Sequence, residues 1–190
     1  MVASGQSAIR LEQVNYIVDG LHILKNMTGS FTKGEITTIV GPSGAGKTTL
    51  FRLCNGLKSA SSGEIYIHEK AISSYDPVAL RRDVGIALQK ATMIDGSVRR
   101  NLALPLTLQK KSLPKEDAEE LMNMVGLDKR FLNRDSKDLS GGERQKISIA
   151  RTLVNRPRIL LLDEITSSLD RVSQHDIEEL ILQINRNYGT

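Results

Sequence analysis

The chain lacks tryptophan, has one cysteine, and carries aromatic side chains at only 4% of its 190 positions. A single cysteine, Cys54, cannot form an internal disulfide, which excludes a disulfide scaffold and indicates a reducing compartment. Cys54 shares a helical stripe with Leu50, Leu53 and Leu57. It is therefore predicted to be a small buried side chain rather than a nucleophile.

Long apolar runs are missing as well. The run near the end, Ile159–Leu162, has four residues, whereas a membrane-spanning helix needs ~20. Residues 1–5 are small and polar and no apolar stretch follows them, so no signal peptide is predicted. Hydrophobic residues at 39% and charged residues at 25% are typical of a soluble globular protein, and the length fits one domain.

The net charge of +4 is too weak to indicate nucleic-acid binding, and no nucleic-acid partner is predicted. Residues 81–137 contain 12 basic and 8 acidic residues, so the whole basic excess lies there. This segment is either an ordinary solvated surface or a docking surface for a partner.

Hydrophobic periodicity predicts strands alternating with helices. The predicted strands are 9–14, 21–27, 36–40, 64–67, 84–88 and 158–162, and the predicted helices begin near residues 47, 77, 114, 145 and 175. This alternation indicates an α/β fold with a parallel sheet, and the hairpin turn at Asp19-Gly20 indicates an antiparallel side sheet. Residues 91–137 lack strands and are predicted to be a helical subdomain inserted between 1–90 and 138–190, which form the rest of one domain over 1–190.

A glycine-rich loop follows the predicted strand 36–40 and precedes a helix, which is the context of a phosphate-binding P-loop. Glycine lets backbone amides approach phosphate oxygens, and the helix adds its positive N-terminal dipole. Lys47 is expected to reach the β- and γ-phosphates and Thr48 to bind Mg²⁺. The alternative is a plain glycine-rich turn. The predicted nucleotide-binding residues are Gly41, Pro42, Ser43, Gly44, Ala45, Gly46, Lys47, Thr48 and Thr49.

A second chemical motif ends the apolar strand 158–162. Asp163 and Glu164 follow it directly, and successive strand residues point to opposite sides, so the two carboxylates can take different roles. Asp163 is expected to hold Mg²⁺ through water, and Glu164 to orient and deprotonate the attacking water.

The segment Leu139-Ser140-Gly141-Gly142-Glu143 is a third motif. Ser140 and Glu143 have the spacing of a helix capping box. It predicts a second helix N-terminus with exposed glycine amides, which could bind a second anion.

Together these motifs resemble the nucleotide-binding domain of ABC-type ATPases, a P-loop NTPase fold. The P-loop, the LSGGE segment and the ILLLDE strand match in order, Ser168-Leu169-Asp170 matches the D-loop, and Gln89 matches the Q-loop glutamine. The resemblance covers nearly the whole chain. It implies ATP and Mg²⁺ as ligands, with Lys47, Gln89 and Glu164 as catalytic residues and Thr48, Gln89 and Asp163 as metal ligands.

The resemblance also implies partners. Two such domains would form a head-to-tail dimer around two ATP molecules, in which Ser140, Gly141 and Gly142 of one chain contact the γ-phosphate held by Lys47 of the other. Asp170 would lie across that interface. The basic surface near Arg99 and Arg100 would face an integral-membrane permease. Many family members have proline where this chain has Ile165. Isoleucine at this position makes the segment similar to that of a bacterial metal- or iron-export branch of the family.

Two family features lack a clear match. Tyr16 is the nearest candidate to stack on adenine, and the alternative is a core tyrosine. The histidines are His22, His68 and His175, and none falls where the family's switch histidine is expected. We therefore expect that the chain is a shortened product, and that hydrolysis is affected more than ATP binding.

The expected function is an ATP-hydrolysing motor subunit of an ABC transporter, peripheral on the cytoplasmic face of the membrane. One alternative is a nucleotide-binding module with impaired turnover, and another is a soluble ABC ATPase with no transport role. The transported substrate is expected to be chosen by the membrane subunit.

Overall fold

Strands and helices alternate along residues 6–190, which are the residues described by the computed structural model. Residues 1–5, on which the signal-peptide prediction rests, lie outside the described residues. In chain order the elements are β1 Ser7–Val18, β2 Leu21–Thr32, α1 Lys47–Cys54, β3 Ser62–Ile67, β4 Lys70–Ala71, α2 Pro77–Asp83, β5 Val84–Ala87, α3 Val98–Thr107, α4 Lys115–Met124, α5 Gly141–Leu153, β6 Ile159–Leu162 and α6 Arg171–Tyr188, with short 3₁₀ helices at Ile72–Ser74, Lys129–Asn133 and Ser136–Asp138. One compact unit extends to Val84 and also includes Thr190, and the other is Gly85–Gly189.

The first unit contains an antiparallel sheet in the order β2-β1-β3-β4. The predicted turn between β1 and β2 is confirmed, because Asp19 and Gly20 both adopt positive φ, 50° and 79°, as a two-residue hairpin loop requires. In the β1–β3 pair, Ile9 lies opposite Ile67 and Leu11 opposite Ile65. All four side chains are buried, so alternation along the strands places one apolar face of the sheet in the core.

The predicted strand 36–40 is wrong. The segment belongs to neither sheet of the described residues, and Ile36 is 47% and Val40 90% exposed. β-branched residues favour a strand only where neighbouring strands supply hydrogen-bonding partners and a face to bury. No strand within residues 6–190 pairs with this segment, so its composition alone does not make it a strand.

The helices of the first unit follow their local signals. Asp76 caps α2, since its Oδ1 accepts from the Ala79 amide at 2.8 Å, and Pro77 is the first helical residue. Gly56, with φ of 70°, follows the end of α1. These ends are predictable because capping depends on residues adjacent in sequence.

The second unit pairs β5 and β6 into a two-stranded parallel sheet and packs four helices, α3 to α6, around an apolar core. Buried residues of that core come from every helix and include Leu102, Met122, Ile147, Ile149 and Ile177. The α/β class, with an antiparallel N-terminal sheet, is confirmed.

Within 91–137 the structure has α3, α4 and a 3₁₀ helix, and the side chains of Ala118, Leu121 and Met122 on α4 are buried. Hydrophobic periodicity does not predict helix α3. Pro105 lies inside it and weakens its helical signal, although the Ser97 hydroxyl caps it by accepting from the Arg100 amide.

Helix α6 begins at Arg171 rather than near His175. The Asp170 carboxylate accepts from the amides of Val172 and Ser173, both at 3.0 Å, and so fixes an earlier start. Within the described range, 6–190, none of the helices has the length and apolar character needed to cross a membrane.

Candidate functional site

The predicted P-loop of the first unit curls around the side chain of its own lysine. Lys47 Nζ donates to the carbonyl oxygens of Gly41 at 2.8 Å and Pro42 at 3.1 Å, and the Ala45 amide donates to Pro42 O at 3.2 Å. Residues 41–45 are exposed. The loop is therefore a closed backbone turn with an ammonium group at its centre, open to solvent directly before a helix.

Gly46 fixes the junction between this loop and α1. Its φ is 88°, and a Cβ added there would lie 2.7 Å from Leu24 Cδ2 and 3.1 Å from the Ile23 carbonyl oxygen. Both the conformation and the contact require glycine. Helix α1 therefore starts directly against β2, with Lys47, Thr48 and Thr49 in its first turn, where backbone amides and the helix dipole favour an anion.

Tyr16 lies half-buried in β1, paired with Leu24 of β2. Its hydroxyl accepts a hydrogen bond from Lys58 Nζ at 2.8 Å. The tyrosine is thus anchored at its polar end.

In the second unit, β6 ends at two carboxylates with different surroundings. Asp163 is 5% exposed, and its amide donates to Ala87 O at 3.0 Å, which continues the β5–β6 pairing. Glu164 is exposed and has a φ of 49°. The two adjacent carboxylates therefore differ in their access to solvent.

Gln89 follows β5 and is connected to the turn after Glu164. Its Nε2 donates to Ser167 Oγ at 3.0 Å. Ser167 in turn bonds to the Glu164 carbonyl oxygen, from its amide at 3.1 Å and from its hydroxyl at 2.9 Å. The structure therefore brings Gln89 and Glu164 together through Ser167, a residue that the sequence analysis did not assign. The only sequence signal was a small hydroxyl residue in a turn.

The capping box predicted at the start of α5 is confirmed. Glu143 N donates to Ser140 Oγ at 3.2 Å, and Ser140 N donates to Glu143 Oε2 at 2.7 Å. Ser140 and Gly141 are exposed. The helix terminus is thus preformed and open to solvent at its hydroxyl and first glycine.

This terminus packs against the start of α6. A Cβ on Gly142 would lie 2.9 Å from Ser173 Oγ, whereas one on Gly141 would lie 3.6 Å from Leu169 Cδ2. Ser173 Oγ donates to Asp170 Oδ2 at 2.7 Å. This bond, together with those from the backbone amides, holds the pKa of the Asp170 carboxyl below its usual range. Gly142 therefore lies against Ser173, whose hydroxyl is bonded to Asp170, and Ser173 is a further contact that sequence reasoning missed.

Helix α5 also holds the loop that carries Gln89. The buried Gln145 donates from Nε2 to Leu88 O at 3.3 Å, and Arg151 donates from Nη2 to Thr92 O at 2.8 Å. Burial lowers the pKa of the Arg151 guanidinium. One helix thus connects the glycine-rich terminus at Ser140 to the segment on both sides of Gln89.

The predicted site residues divide between the two units. Tyr16 and residues 41–49 lie in the first unit, and Gln89, residues 140–142, Asp163 and Glu164 lie in the second. Within residues 6–190 no cluster of three His, Cys, Asp or Glu side chains could hold a metal. The predicted ligands are a hydroxyl at Thr48 in the first unit, and an amide at Gln89 and a carboxylate at Asp163 in the second. Each is a hard oxygen donor of the class that Mg²⁺ binds.

Cys54 takes no part in this chemistry. It is buried in the first unit, as predicted, and burial raises the pKa of its thiol to about 12. A thiol with so high a pKa is not a nucleophile at neutral pH.

Comparison with known proteins agrees with the predicted family. The family model described as "ABC transporter" matches residues 24–167. The putative ABC transporter ATP-binding protein YjkB of Bacillus subtilis is 43% identical over 176 residues, which is 92% of this chain and 70% of the relative.

Two solved structures share the fold. The structure of cbiO1 from Clostridium perfringens, part of the ABC transporter complex cbiONQ, has a TM-score of 0.87 at 28% identity, covering 97% of this chain and 76% of that one. The dimeric structure of MJ0796, a bacterial ABC transporter cassette, has a TM-score of 0.82 at 31% identity, covering 95% and 84%.

Proposed function

The chain belongs to the ABC transporter family of ATP-binding proteins, and we propose that it binds and hydrolyses Mg-ATP as the motor subunit of a transporter. The observation that carries the proposal is the P-loop closed around Lys47, whose Nζ lies 2.8 Å from Gly41 O and 3.1 Å from Pro42 O at the start of α1. Such a loop presents backbone amides, an ammonium group and a helix dipole to the same anion.

In this proposal the phosphates of ATP lie on residues 41–49, and Tyr16 contacts the adenine. Lys47 neutralises charge on the β- and γ-phosphates. The close packing of Gly46 against Leu24 and Ile23 supports this role of Lys47, because it fixes the position of the first turn of α1 in the first unit. A preformed cradle binds phosphate without first being ordered.

The metal ligands of the proposal are Thr48, Gln89 and Asp163. Mg²⁺ supplies charge neutralisation at the phosphate oxygens when it is bound. Asp163 is suited to hold a metal-bound water because its carboxylate is buried and its backbone is held by the β5–β6 pairing. Gln89 offers an amide oxygen from an exposed side chain.

Glu164 is the proposed general base. Its side chain is exposed and its backbone is held by two hydrogen bonds from Ser167. A carboxylate with access to solvent can orient a water molecule and accept its proton as the water oxygen bonds to the γ-phosphorus. The bond from that phosphorus to the oxygen that bridges to the β-phosphate breaks, and ADP leaves with that oxygen.

A second copy of the chain completes the proposed site. Ser140 and Gly141 form a preformed, exposed helix terminus in the second unit, and Asp170 lies beside it. We assign this surface to the γ-phosphate held by Lys47 of the other copy. The likeness to a cassette solved as a dimer supports this arrangement.

The proposed membrane partner is an integral permease, with the chain peripheral on the cytoplasmic face. The likeness to cbiO1, part of the transporter complex cbiONQ, supports this proposal. Arg100 is exposed, whereas Arg99 is half-buried and donates to Leu113 O at 3.4 Å. Arg100 is therefore the better candidate to contact the permease. Metal or iron export, expected from Ile165, stays a prediction.

Calorimetry with Mg-ATP tests the binding step. Lys47→Ala should abolish measurable binding, whereas Lys25→Ala, an exposed lysine of β2, should leave the affinity unchanged. Equal affinities for the two variants would contradict the P-loop assignment. Phosphate release by the wild-type chain tests turnover, and ATP binding without release would favour the alternative of a module with impaired turnover.

Glu164→Gln tests the base and the dimer together. The amide cannot accept the proton of water, so this variant should release no phosphate but should still bind ATP. Gel filtration with ATP should then give a dimer, and without ATP a monomer. A monomer under both conditions would count against the two-copy arrangement.

A further inference from the structure

The Ser167 hydroxyl lies between the Gln89 side chain and the backbone of Glu164. Gln89 Nε2 is 3.0 Å from Ser167 Oγ, and Ser167 Oγ is 2.9 Å from the Glu164 carbonyl oxygen. The Ser167 amide bonds to the same carbonyl at 3.1 Å. A single turn therefore fixes the place of this hydroxyl.

The hydrogen-bonding capacity of a hydroxyl decides which end of the Gln89 amide faces it. The Glu164 carbonyl can only accept, so Ser167 Oγ donates its one proton there. Towards Gln89 the same oxygen can only accept, which selects the amide nitrogen. The amide oxygen, which is the only atom of this side chain that can bind a hard cation, is then turned away from Ser167.

We propose that Ser167 is a positioning residue that orients the Gln89 amide so that Oε1 is presented to the Mg²⁺ of bound ATP. This inference rests on the proposed function, in which Gln89 is a metal ligand. Gln89 is exposed, and its hydrogen bond to Ser167 selects between the two orientations of its amide. Residues that orient a metal ligand in this way typically contribute 10–100-fold to metal affinity.

The test measures how much Mg²⁺ strengthens the binding of a non-hydrolysable ATP analogue to the full chain. Calorimetric titrations are run with Mg²⁺ and with EDTA, and the ratio of the two dissociation constants is the gain due to the metal. Ser167→Ala should reduce this gain by about tenfold. The dissociation constant in EDTA should stay unchanged, because the P-loop is intact.

Three further variants make the result specific. Ser167→Thr keeps the hydroxyl and should keep the gain, and Gln89→Ala should lose at least as much of it as Ser167→Ala. Ser112→Ala replaces an exposed serine before α4 and should match wild type. Thermal unfolding of each variant verifies that the chain is folded.

Several results would overturn the inference. One such result is that Mg²⁺ strengthens binding to Ser167→Ala as much as to wild type but strengthens binding to Gln89→Ala less. This would show that Ser167 does not orient the ligand, and it would leave the proposed function standing. An equal loss of affinity with Mg²⁺ and with EDTA would show a structural effect of Ser167. If Mg²⁺ strengthens binding to Gln89→Ala as much as to wild type, Gln89 is not a ligand of the metal. Absence of analogue binding by the wild-type chain would instead reject the proposed function.

Discussion

Gly142 and Ser173 are in such close contact that a Cβ on Gly142 would lie 2.9 Å from Ser173 Oγ and 3.2 Å from Ser173 Cβ. The contact brings the first turn of α5 onto the first turn of α6. Ser173 cannot turn its hydroxyl away freely, because it donates to Asp170 Oδ2 at 2.7 Å. The second glycine of the LSGGE segment thus has a packing role in addition to any role in binding phosphate.

Gly142→Ala should therefore destabilise the chain. The added methyl group overlaps Ser173, and such overpacking costs about 1–3 kcal/mol of unfolding free energy. Gly141→Ala is the matched control, because its Cβ would meet Leu169 Cδ2 at an ordinary 3.6 Å. Urea unfolding should place Gly141→Ala within about 0.5 kcal/mol of wild type. Equal stabilities of the two variants would show that the start of α6 yields to the methyl group.

Asp170 should make stability depend on pH in the acid range. Hydrogen bonds from the Ser173 hydroxyl and from the backbone amides of Ser173 and Val172 favour its charged form and lower the pKa of its carboxyl in the folded state. A depressed folded pKa gives stability that is fully present above the unfolded pKa of about 3.9. That stability is lost as the pH falls through the folded pKa.

The comparison that isolates this effect is wild type against Asp170→Asn. Asparagine also caps a helix but does not titrate. In urea unfolding, the advantage of wild type should be constant near neutral pH and should shrink below about pH 3.9. An advantage that stays constant through the acid range would mean that the folded and unfolded carboxyl groups have the same pKa.

Features that depend on neighbours in sequence could be predicted. The Ser140–Glu143 capping box and the turn at Asp19-Gly20 formed as expected, and α2 begins at Pro77 as predicted, because each of these features depends on residues within three positions of one another. Helix α1 likewise begins at residue 47, directly after the glycine-rich loop, as predicted.

Features that depend on distant partners could not be predicted. Residues 36–40 have a strand composition, yet a strand also needs a neighbour that the segment itself cannot specify. Ser167 meets Gln89 across a sequence separation of 78 positions, and no local pattern marks that contact. Helix α3 was hidden by Pro105, whose cost is offset by the burial of Val98 and Leu102.

Gln145 should stabilise the loop that carries Gln89. Its buried Nε2 donates to Leu88 O at 3.3 Å. Gln145→Met preserves much of the side-chain volume but leaves that carbonyl without its donor, which should cost about 1–2 kcal/mol in urea unfolding. Gln183→Met, at an exposed position of α6, is the matched control and should change stability by less than about 0.5 kcal/mol.

Hydrogen exchange locates the effect of Gln145→Met. If Gln145 holds the loop through Leu88, amides between Leu88 and Thr92 should exchange faster in the variant, because local opening requires less free energy when one of its two links to α5 is lost. Amides of α4 in the same unit should exchange at the wild-type rate. A uniform increase over both segments would indicate general destabilisation of the second unit, and unchanged exchange at Leu88–Thr92 would show that the Arg151–Thr92 bond holds the loop without Gln145.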